Sequence, residues 1–244
     1  MNIGQKFLEG SKYQNLLESP QKQGKVQPPL ELNLPKECEL IELPGPQSLE
    51  IPKVDLVQLI EARETRRKYL EKKLSLEELS YLLWLTQGVK QVTERPSTIR
   101  NVPSAGARHP YETYLLINAV EGLKNGLYRY VALSHKLLLV DDTVGLKERI
   151  TQACLKQKQV LTSAVTFIWV AAIKRMFWRY SERAYRYVLL DAGHICQNLY
   201  LAAEAINCGV CAIAAYDDDL LNSAIKVDGK ELVPLYLASL GKVK

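Results

Sequence analysis

The stretch NVPSAGARHP, residues 101–110, stands directly before YETYLLINAV, residues 111–120, which has the bulky side chains typical of a β-strand. Small residues and a glycine in a loop closed by Pro110 let backbone N–H groups come close to a flat or anionic group. An ordinary turn has the same composition, and the stretch taken alone favours that interpretation. We expect the strand to be an edge strand or half-buried. The role of the loop depends on the patterns in the rest of the chain.

Composition limits the function classes. The 244 residues are 47% hydrophobic and 24% charged, which is enough for one sizeable globular core. Lys and Arg number 32 against 27 Asp and Glu, and the net charge of +5 permits an anionic ligand but is modest for a nucleic-acid binder. The longest apolar stretch, residues 164–173, is too short to span a bilayer, and no apolar signal segment precedes it. We therefore expect a cytoplasmic protein with no membrane segment.

The cysteines raise the question of metal or redox chemistry. Without a secretion signal, five cysteines are expected to be reduced. Cys208 and Cys211 form a CxxC, the spacing of redox dithiols and zinc sites. A zinc site needs a second pair of ligands, and the three histidines stand in separate segments. We predict small core thiols in a buried strand and no metal site.

Two regions differ in pattern. Residues 1–53 are rich in proline and weakly periodic, which predicts an extended arm after one short helix near QKFLEGSKYQNLL. Residues 54–244 carry regular helix and strand patterns and form the predicted second domain. No internal repeat is evident in the sequence.

Capping residues mark the first helices of the second domain. Asp55 can cap a helix whose apolar residues recur at helical spacing, and Ser75 with Glu78 fits a capping box for a helix that Gly88 ends. Further along, the pattern predicts strands at 111–120, 126–132, 136–140, 164–173, 209–215 and 232–240, and helices at 145–156, 182–206 and 217–225. Because there is no regular βαβ repeat, we predict an α+β fold with helices packed on the faces of a sheet.

The segment EARETRRKY, residues 61–69, offers cationic side chains. If the helix continues, Arg63 and Arg67 share one face with the Thr65 hydroxyl between them. Guanidinium groups bind phosphate and carbonyl oxygens in forked hydrogen bonds. A solvated basic helix end is the alternative, and without other signals it is favoured because more cations follow, namely Arg66, Lys68, Lys72 and Lys73.

The helix at 182–206 is interrupted by Gly193. Its predicted apolar stripe consists of Leu189, Ala192, Cys196, Leu199 and Ala203. A glycine inside a helix costs about 1 kcal/mol relative to alanine, so it indicates close packing against another backbone or a ligand. For the polar residues His194, Gln197 and Asn198, hydrogen bonding is favoured over catalysis. The next strand runs out through AIAAY, residues 212–216, whose small side chains would let the backbone lie against a planar ring.

Taken in order, these segments resemble the FMN-dependent nitroreductase family. The motifs that carry the resemblance are R-x-T-x-R at 63–67, PSAG at 103–106, DAGHICQNLYLAA at 191–203 and CAIAAY at 211–216. Three further segments resemble its SagB-type dehydrogenase branch, which includes azoline oxidases: SKY at 11–13, GLYRY at 126–130 and WRYSERAYRYVLLDAGH at 178–194. Each motif alone is weak, whereas the ordered set, over about residues 50–241, is specific.

The resemblance implies a fold and a cofactor. The implied fold is a three-layer α/β/α sandwich whose central sheet is mixed and mostly antiparallel. The implied assembly is a homodimer with FMN at the subunit interface. In one subunit, the residues implied to contact FMN are Arg63, Thr65, Arg67, Ile213, Ala214, Ala215, Gly241 and Lys242. The loop implied to reach the flavin from the neighbouring subunit consists of Pro103, Ser104, Ala105 and Gly106.

The resemblance also identifies a departure from the azoline oxidases. Those proteins carry a Lys–Tyr pair where this sequence has Arg179 and Tyr180. A buried Lys can lose its proton and act as a base, whereas Arg stays protonated. We therefore expect no base at position 179. Tyr180 either donates a proton or forms part of the pocket wall.

We predict an FMN oxidoreductase that transfers hydride through flavin N5, linked to NADH or NADPH and acting on a small molecule or peptide. A fixed Arg63 near the flavin pyrimidine would stabilise the reduced form. One alternative is a flavin-binding scaffold subunit of a peptide-modifying complex. A nucleic-acid-binding module using the basic run and Tyr69 is a weaker alternative, and we expect no nucleic-acid partner.

Overall fold

A computed structural model describes residues 1–48, 50 and 53–243 of the chain. The N-terminal arm begins with α1 (Ile3–Gly10), capped by Asn2, which confirms the predicted short helix. It then runs without regular secondary structure, apart from a 3₁₀ turn, to β1 (Leu40–Glu42). Because β1 pairs with a strand of the main sheet, the arm is part of that sheet. The division at residue 53 stays a prediction, and residues 51 and 52 beside it lie outside the described residues.

A buried ion pair fastens the arm to the sheet. Glu112 Oε1 lies 2.5 Å from the Arg175 guanidinium, and both side chains are buried. Glu112 also accepts the backbone N–H of Leu32 at 2.9 Å, and Arg175 Nε donates to the carbonyl of Pro29 at 2.8 Å. The arm thereby supplies backbone partners to charges that would otherwise be costly to bury.

Two capped helices follow the arm, as predicted. The Asp55 side chain accepts from the backbone N–H groups of Val57 and Gln58 at the start of α2 (Leu56–Ala62). Ser75 and Glu78 form the predicted capping box of α3 (Leu76–Gln87), and Gly88 follows its last residue.

The remaining elements match most of the predicted ones to within a few residues. In chain order they are β2 (Val89–Val92), β3 (Thr98–Arg100), β4 (Tyr111–Ile117), β5 (Gly126–Val131), β6 (Lys136–Asp141), α4 (Leu146–Ala153), α5 (Lys158–Thr162), β7 (Val165–Ala172), α6 (Ile173–Tyr180), α7 (Ala184–Ala205), β8 (Cys208–Ile213), α8 (Asp218–Ile225) and β9 (Leu232–Lys242). Strands β2 and β3 form a separate ribbon, which the sequence patterns did not predict.

The main sheet has seven strands in the order β1-β6-β5-β4-β7-β9-β8, and each neighbouring pair is antiparallel. The expectation that the strand after the PSAG loop is an edge or half-buried strand was wrong. All seven residues of β4 are buried, and the strand lies in the middle of the sheet. Its bulky side chains fill the core on both faces, so its polar residues, such as Glu112, need buried partners.

Alternating side chains of the central strands face two helical layers. On β4, Leu115 and Ile117 belong to the core that also contains buried residues of α3, α6 and α7, whereas Tyr114 and Leu116 belong to the core under α4, α5 and α8. The period of two residues follows from strand geometry. The protein is therefore an α+β three-layer sandwich, which confirms the predicted fold class. In the described part of the chain, no helix is both long and apolar enough to cross a membrane.

Candidate active site

The R-x-T-x-R segment is not helical. Helix α2 ends at Ala62, and Arg63 leaves helical geometry at φ −59° and ψ 116°. Thr65 then forms a parallel bridge with Val210 on the edge strand β8, and the backbone N–H of Arg66 donates to the Val210 carbonyl at 2.9 Å. The prediction that Arg63 and Arg67 share a helix face was wrong, because pairing with β8 competes with continuation of the helix.

A tyrosine of α7 ties this segment to β8. Tyr200 Oη lies 3.2 Å from Thr65 Oγ1 and accepts the backbone N–H of Ala212 at 3.0 Å. The guanidinium of Arg63 lies over the Tyr200 ring, 5.4 Å from its centroid. Tyr200 was not among the predicted site residues, although a tyrosine on the buried side of a helix, next to Leu199, indicates a hydroxyl that needs a partner.

The three arginines of the segment differ in their partners. Arg66 is neutralised by Glu64 at 3.0 Å and Glu204 at 3.9 Å. Arg63 and Arg67 have no carboxylate within 4.0 Å among the described residues. Two arginines without acidic partners therefore stand two positions before and two positions after Thr65 in the chain. Such a donor set fits a phosphorylated, anionic cofactor.

The end of β8 completes what we call the first half-site, which consists of Arg63, Thr65, Arg67, Tyr200 and residues 212–215. Ile213 is the last residue of the strand and is buried, whereas Ala214 and Ala215 are exposed. A backbone that carries only methyl side chains leaves room for a planar ring to approach it. The structure thus brings the predicted residues at 63–67 and 213–215 to one edge of the sheet.

The structure places Gly241 and Lys242 next to this edge but turns the lysine inwards. The Lys242 ammonium is buried, pairs with Glu78 and donates to the Ile206 carbonyl at 3.0 Å. Gly241 packs on Tyr69, because an added Cβ would lie 2.7 Å from Tyr69 Cγ. The lysine charge is therefore already compensated, and the phosphate contact of these two residues stays a prediction.

The PSAG loop is held by a buried carboxylate on α7. Ser104 Oγ donates to Asp191 Oδ2 at 2.5 Å, and the backbone N–H of Ala105 lies 3.4 Å from Oδ1. Pro103 is exposed beside them. Burial raises the pKa of Asp191 to about 6, although the bond from Ser104 acts against the rise. Asp191 was not among the predicted site residues; its sequence signal is an acidic residue beside Ala192 in an apolar stripe.

Arg179 and Tyr180, at the end of α6, pack on the same loop. Gly106 has φ of 59°, and an added Cβ would collide with Tyr180 Oη and lie 2.7 Å from Arg179 Nε. Glycine is needed there both for the backbone conformation and for the close approach. Asp191, Arg179, Tyr180 and the loop residues 103–106 form what we call the second half-site.

The two half-sites lie at different levels of α7. Their anchors on the helix, Asp191 and Tyr200, are nine residues apart, which corresponds to about 13 Å along a helix axis. Within one chain, the helix therefore separates the loop at 103–106 from the arginine segment at 63–67.

The outer face of α7 corrects the predicted stripe. Ala192, Cys196, Leu199 and Ala203 are buried as predicted, but Leu189 is 53% exposed and its neighbour Leu190 is 59% exposed. Gly193 does not pack closely within the described chain, since no atom lies within 4 Å of an added Cβ. His194 and Gln197 are exposed, whereas Asn198 donates to the Leu85 carbonyl at 2.9 Å, one of the predicted hydrogen bonds.

The two cysteines of the CxxC lie in β8 and are buried, as expected for core thiols. Burial raises the pKa of Cys208 to about 12 and also raises that of Cys211. A thiol with a raised pKa is a poor nucleophile at neutral pH. Within the described ranges, no group of three or more His, Cys, Asp or Glu side chains is placed to hold a metal ion.

Comparison with known families gives the class of the chain, that of the oxidoreductases, and its family. The model of the nitroreductase family matches residues 60–242. The chain is 32% identical to "Putative nitroreductase MJ1384" of Methanocaldococcus jannaschii over 194 residues, which cover 79% of this chain and 93% of that protein. The chain therefore belongs to the nitroreductase family.

Two further proteins are similar to the chain over most of its length. The trifolitoxin-processing protein TfxB of Rhizobium leguminosarum bv. trifolii is 28% identical over 158 residues, or 62% of this chain, and the match spans 41% of TfxB. The Escherichia coli microcin synthetase McbBCD complex, solved with truncated pro-MccB17 bound, contains a chain with the same fold at a TM-score of 0.61 and 19% identity, with 100% of this chain and 95% of that chain covered.

Proposed function

We propose that the protein is an FMN-dependent oxidoreductase that accepts reducing equivalents from NADH or NADPH and passes them to a small molecule or peptide. The observation that carries the proposal is the pair Arg63 and Arg67, which lack acidic partners in the described chain and stand on either side of Thr65, the residue that bridges to Val210 of β8. When bound, FMN supplies hydride transfer at its N5 atom. The chain needs no nucleophile for this chemistry.

The residues of the first half-site bind and orient the cofactor. Arg67 and Thr65 provide donors for its phosphate and ribityl oxygens, while Arg63, fixed over the Tyr200 ring, provides positive charge to the pyrimidine edge. A fixed cation stabilises the reduced, anionic form more than the oxidised form and so raises the reduction potential. The exposed backbone at Ala214 and Ala215 lies against the ring.

The second half-site serves the partner subunit of a homodimer. One chain holds the PSAG loop about 13 Å along α7 from the arginine segment. The exposed leucines of α7, Leu189 and Leu190, give an apolar face for a second copy around Gly193, where no side chain intervenes. Two copies related by a twofold axis would then join each first half-site to a second half-site from the partner.

Tyr180 and Arg179 complete the reaction site. Tyr180 Oη, next to Gly106, can donate a proton to an acceptor, whereas Arg179 remains protonated and can only bind or orient. The site therefore favours reduction of quinone- or nitro-type acceptors over azoline oxidation, in which a base is needed.

A second candidate function is a flavin-binding scaffold subunit without independent turnover. The observation that favours it is the similarity to TfxB, a trifolitoxin-processing protein. Binding to nucleic acid has less support, because Arg66 of the basic run is neutralised by two glutamates.

The absorption spectrum of the purified protein tests the cofactor, and oxidation of NADH or NADPH tests turnover. We expect the visible bands of oxidised flavin, release of FMN on denaturation, and nicotinamide oxidation that depends on an added quinone. A colourless protein that fails to take up FMN overturns the proposal, and a yellow protein without turnover favours the scaffold. Sedimentation is expected to show a dimer, and a flavin-loaded monomer would contradict the shared site.

A further inference from the structure

The N-terminal arm is fixed to the end of the molecule that carries Tyr180. The guanidinium of Arg183 lies 4.4 Å from the centroid of the Tyr13 ring and donates to the Ser11 carbonyl at 2.9 Å. The hydroxyls of Tyr13 and Tyr187 are 2.8 Å apart, and the Tyr187 ring meets the Tyr180 ring edge-on at 4.8 Å. A cluster of three tyrosines and an arginine therefore connects the arm to the second half-site.

A pocket of about 430 Å³ lies between the arm and α6. Its walls include Tyr13, Leu16, Leu17 and Lys22 from the arm, and Arg179 and Tyr180 from α6. The volume lies in the range of small-ligand sites. Because Arg179 and Tyr180 also contact Gly106 of the PSAG loop, the pocket adjoins the second half-site.

The free cations of the pocket face few acids. Arg179 donates a hydrogen bond to the side-chain oxygen of Gln21 at 3.5 Å, and neither Arg179 nor Lys22 has a carboxylate within 4.0 Å in the described part of the chain. Glu18 is the single acidic side chain in the wall. A further cation, Arg108, lies close enough to Arg179 for the charge of Arg179 to lower its pKa, although burial is the larger cause. A cleft with an excess of one charge concentrates ligands of the opposite charge.

The pocket also offers an apolar surface for a ring. Leu17 is 78% exposed although it faces the pocket, and Leu16 and Tyr180 provide further apolar area. An exposed leucine beside unpaired cations is suited to a ligand that is flat and apolar at one end and anionic at the other.

We propose that this pocket is a substrate subsite for small planar molecules that bear a carboxylate, and that the arm selects them through Lys22. The inference rests on the proposed function for the position of the reacting group, which extends past Tyr180 towards the flavin. The arm is thereby a specificity element, with Arg179 as the second cation that contacts the carboxylate.

The test compares two probes that differ in charge but little in shape, 4-nitrobenzoate and 4-nitrobenzamide. Their dissociation constants are measured by titration calorimetry on the protein as purified, without nicotinamide. We expect wild-type protein to bind the benzoate more tightly, and Lys22→Glu to raise the benzoate Kd relative to the amide Kd by about three- to tenfold. Lys25→Glu is the matched control, because Lys25 is an exposed lysine of the same arm outside the pocket wall, and it is expected to leave the ratio of the two Kd values near that of the wild type.

Equal Kd values for the two probes in wild-type protein, or the same change of ratio in both variants, would overturn the subsite. Because binding is measured without turnover, this result does not depend on whether the protein catalyses the proposed reaction. A protein that prefers the benzoate but never oxidises NADH or NADPH would support the subsite and contradict the proposed reaction. A protein that reduces both probes with equal Kd and KM values would support the proposed reaction and contradict the subsite.

Discussion

Thr65 and Tyr200 are 135 positions apart in the chain, yet their hydroxyl oxygens lie 3.2 Å from each other. The same tyrosine oxygen accepts the backbone N–H of Ala212. One hydroxyl on α7 thus joins the segment after α2 to the edge strand β8. The backbones of these two segments are otherwise paired by the isolated bridge between Thr65 and Val210.

Replacing Tyr200 by Phe tests this link. The variant is expected to stay folded and to bind FMN about three- to tenfold more weakly, because a net hydrogen bond contributes about 0.5–1.5 kcal/mol. FMN titration of flavin-free protein, followed by fluorescence, gives the Kd. Tyr128→Phe is the control, since that hydroxyl donates to the Lys124 carbonyl away from the site. Equal Kd values for both variants would contradict the role of Tyr200.

Removing both free guanidinium groups should empty the site. Arg63→Ala with Arg67→Ala is expected to give folded, colourless protein, because each charged hydrogen bond contributes about 1.5–3 kcal/mol and two of them are lost. The measurement is the ratio of flavin to protein after gel filtration. The control pair Lys68→Ala and Lys72→Ala removes two exposed cations close by in the chain and should retain flavin. Full flavin content in the arginine variant would show that the phosphate is bound elsewhere.

Position 179 should decide between reductase and azoline oxidase activity. The wild-type protein is expected to reduce quinone- or nitro-type acceptors and to leave thiazoline and oxazoline peptides unchanged, because Arg179 cannot accept a proton. Mass spectrometry detects the loss of two hydrogens that azoline oxidation causes, and efficient conversion by the wild type would refute this interpretation.

Variants at 179 and 180 refine the same test. Arg179→Lys is expected to keep its flavin and to raise azoline turnover above the wild type, while the exposed Arg149→Lys on α4 should not. Tyr180→Phe is expected to slow every step that needs a proton from the site.

The buried carboxylate of Asp191 should make stability depend on pH in a defined direction. Its pKa is about 6 in the folded state against 3.8 as the ordinary value, with burial as the main cause. Between these values the folded protein binds more protons than the unfolded chain, so this group stabilises the fold as pH falls from 7 to 4, by up to about 3 kcal/mol.

Urea unfolding at pH 7 and pH 4.5 measures this effect as the difference between wild-type protein and Asp191→Asn. The wild type should gain stability relative to the variant at the lower pH. Asp142→Asn, an exposed change, serves as control. An identical difference at both pH values would mean that Asp191 titrates normally.

Thiol labelling should separate one cysteine from the rest. Cys38 is partly exposed, whereas the other four cysteines are buried. Burial raises the pKa of Cys154, Cys196 and Cys208 to about 12, so little thiolate forms at neutral pH. A thiol-reactive dye is expected to label about one cysteine quickly in native protein and all five in denaturant. Cys38→Ser should abolish the fast phase, and rapid labelling of two or more thiols would contradict the buried placement.

Local patterns in the sequence were sufficient for most helices and strands, because caps and apolar periods act over a few residues. The capping box at Ser75 is an example. The central position of β4 could not be predicted in this way, since strand order depends on pairing with β5 and β7 far along the chain. The end of α2 at Ala62 was missed for the same reason, because β8 provides the competing partner for Thr65.

The candidate site was predicted in part. The motifs selected the arginines, residues 213–215 and the PSAG loop, and their contact with a cofactor stays a prediction. The motifs did not select Tyr200, which holds Thr65 and Ala212, or Asp191, which holds the PSAG loop. Tyr200 and Asp191 act through partners 135 and 87 positions away in the chain, and a single sequence does not show which distant partner a buried hydroxyl or carboxylate finds.

The order of the strands in the sheet determines when β8 can pair during synthesis of the chain. Strand β9 follows β8 in the chain but lies between β7 and β8, so β8 has no neighbouring strand in the sheet until residues 232–242 have left the ribosome. The backbone of Ala212 and the bridge at Val210 are therefore in place only after residues 232–242 are translated. A nascent chain stalled before β9 would expose an open edge of β7 and would have no docked β8 against which a cofactor could bind. If the proposed cofactor binds at this edge, its loading follows the synthesis of β9, and the edge of β7 stays unpaired between the emergence of β8 and that of β9.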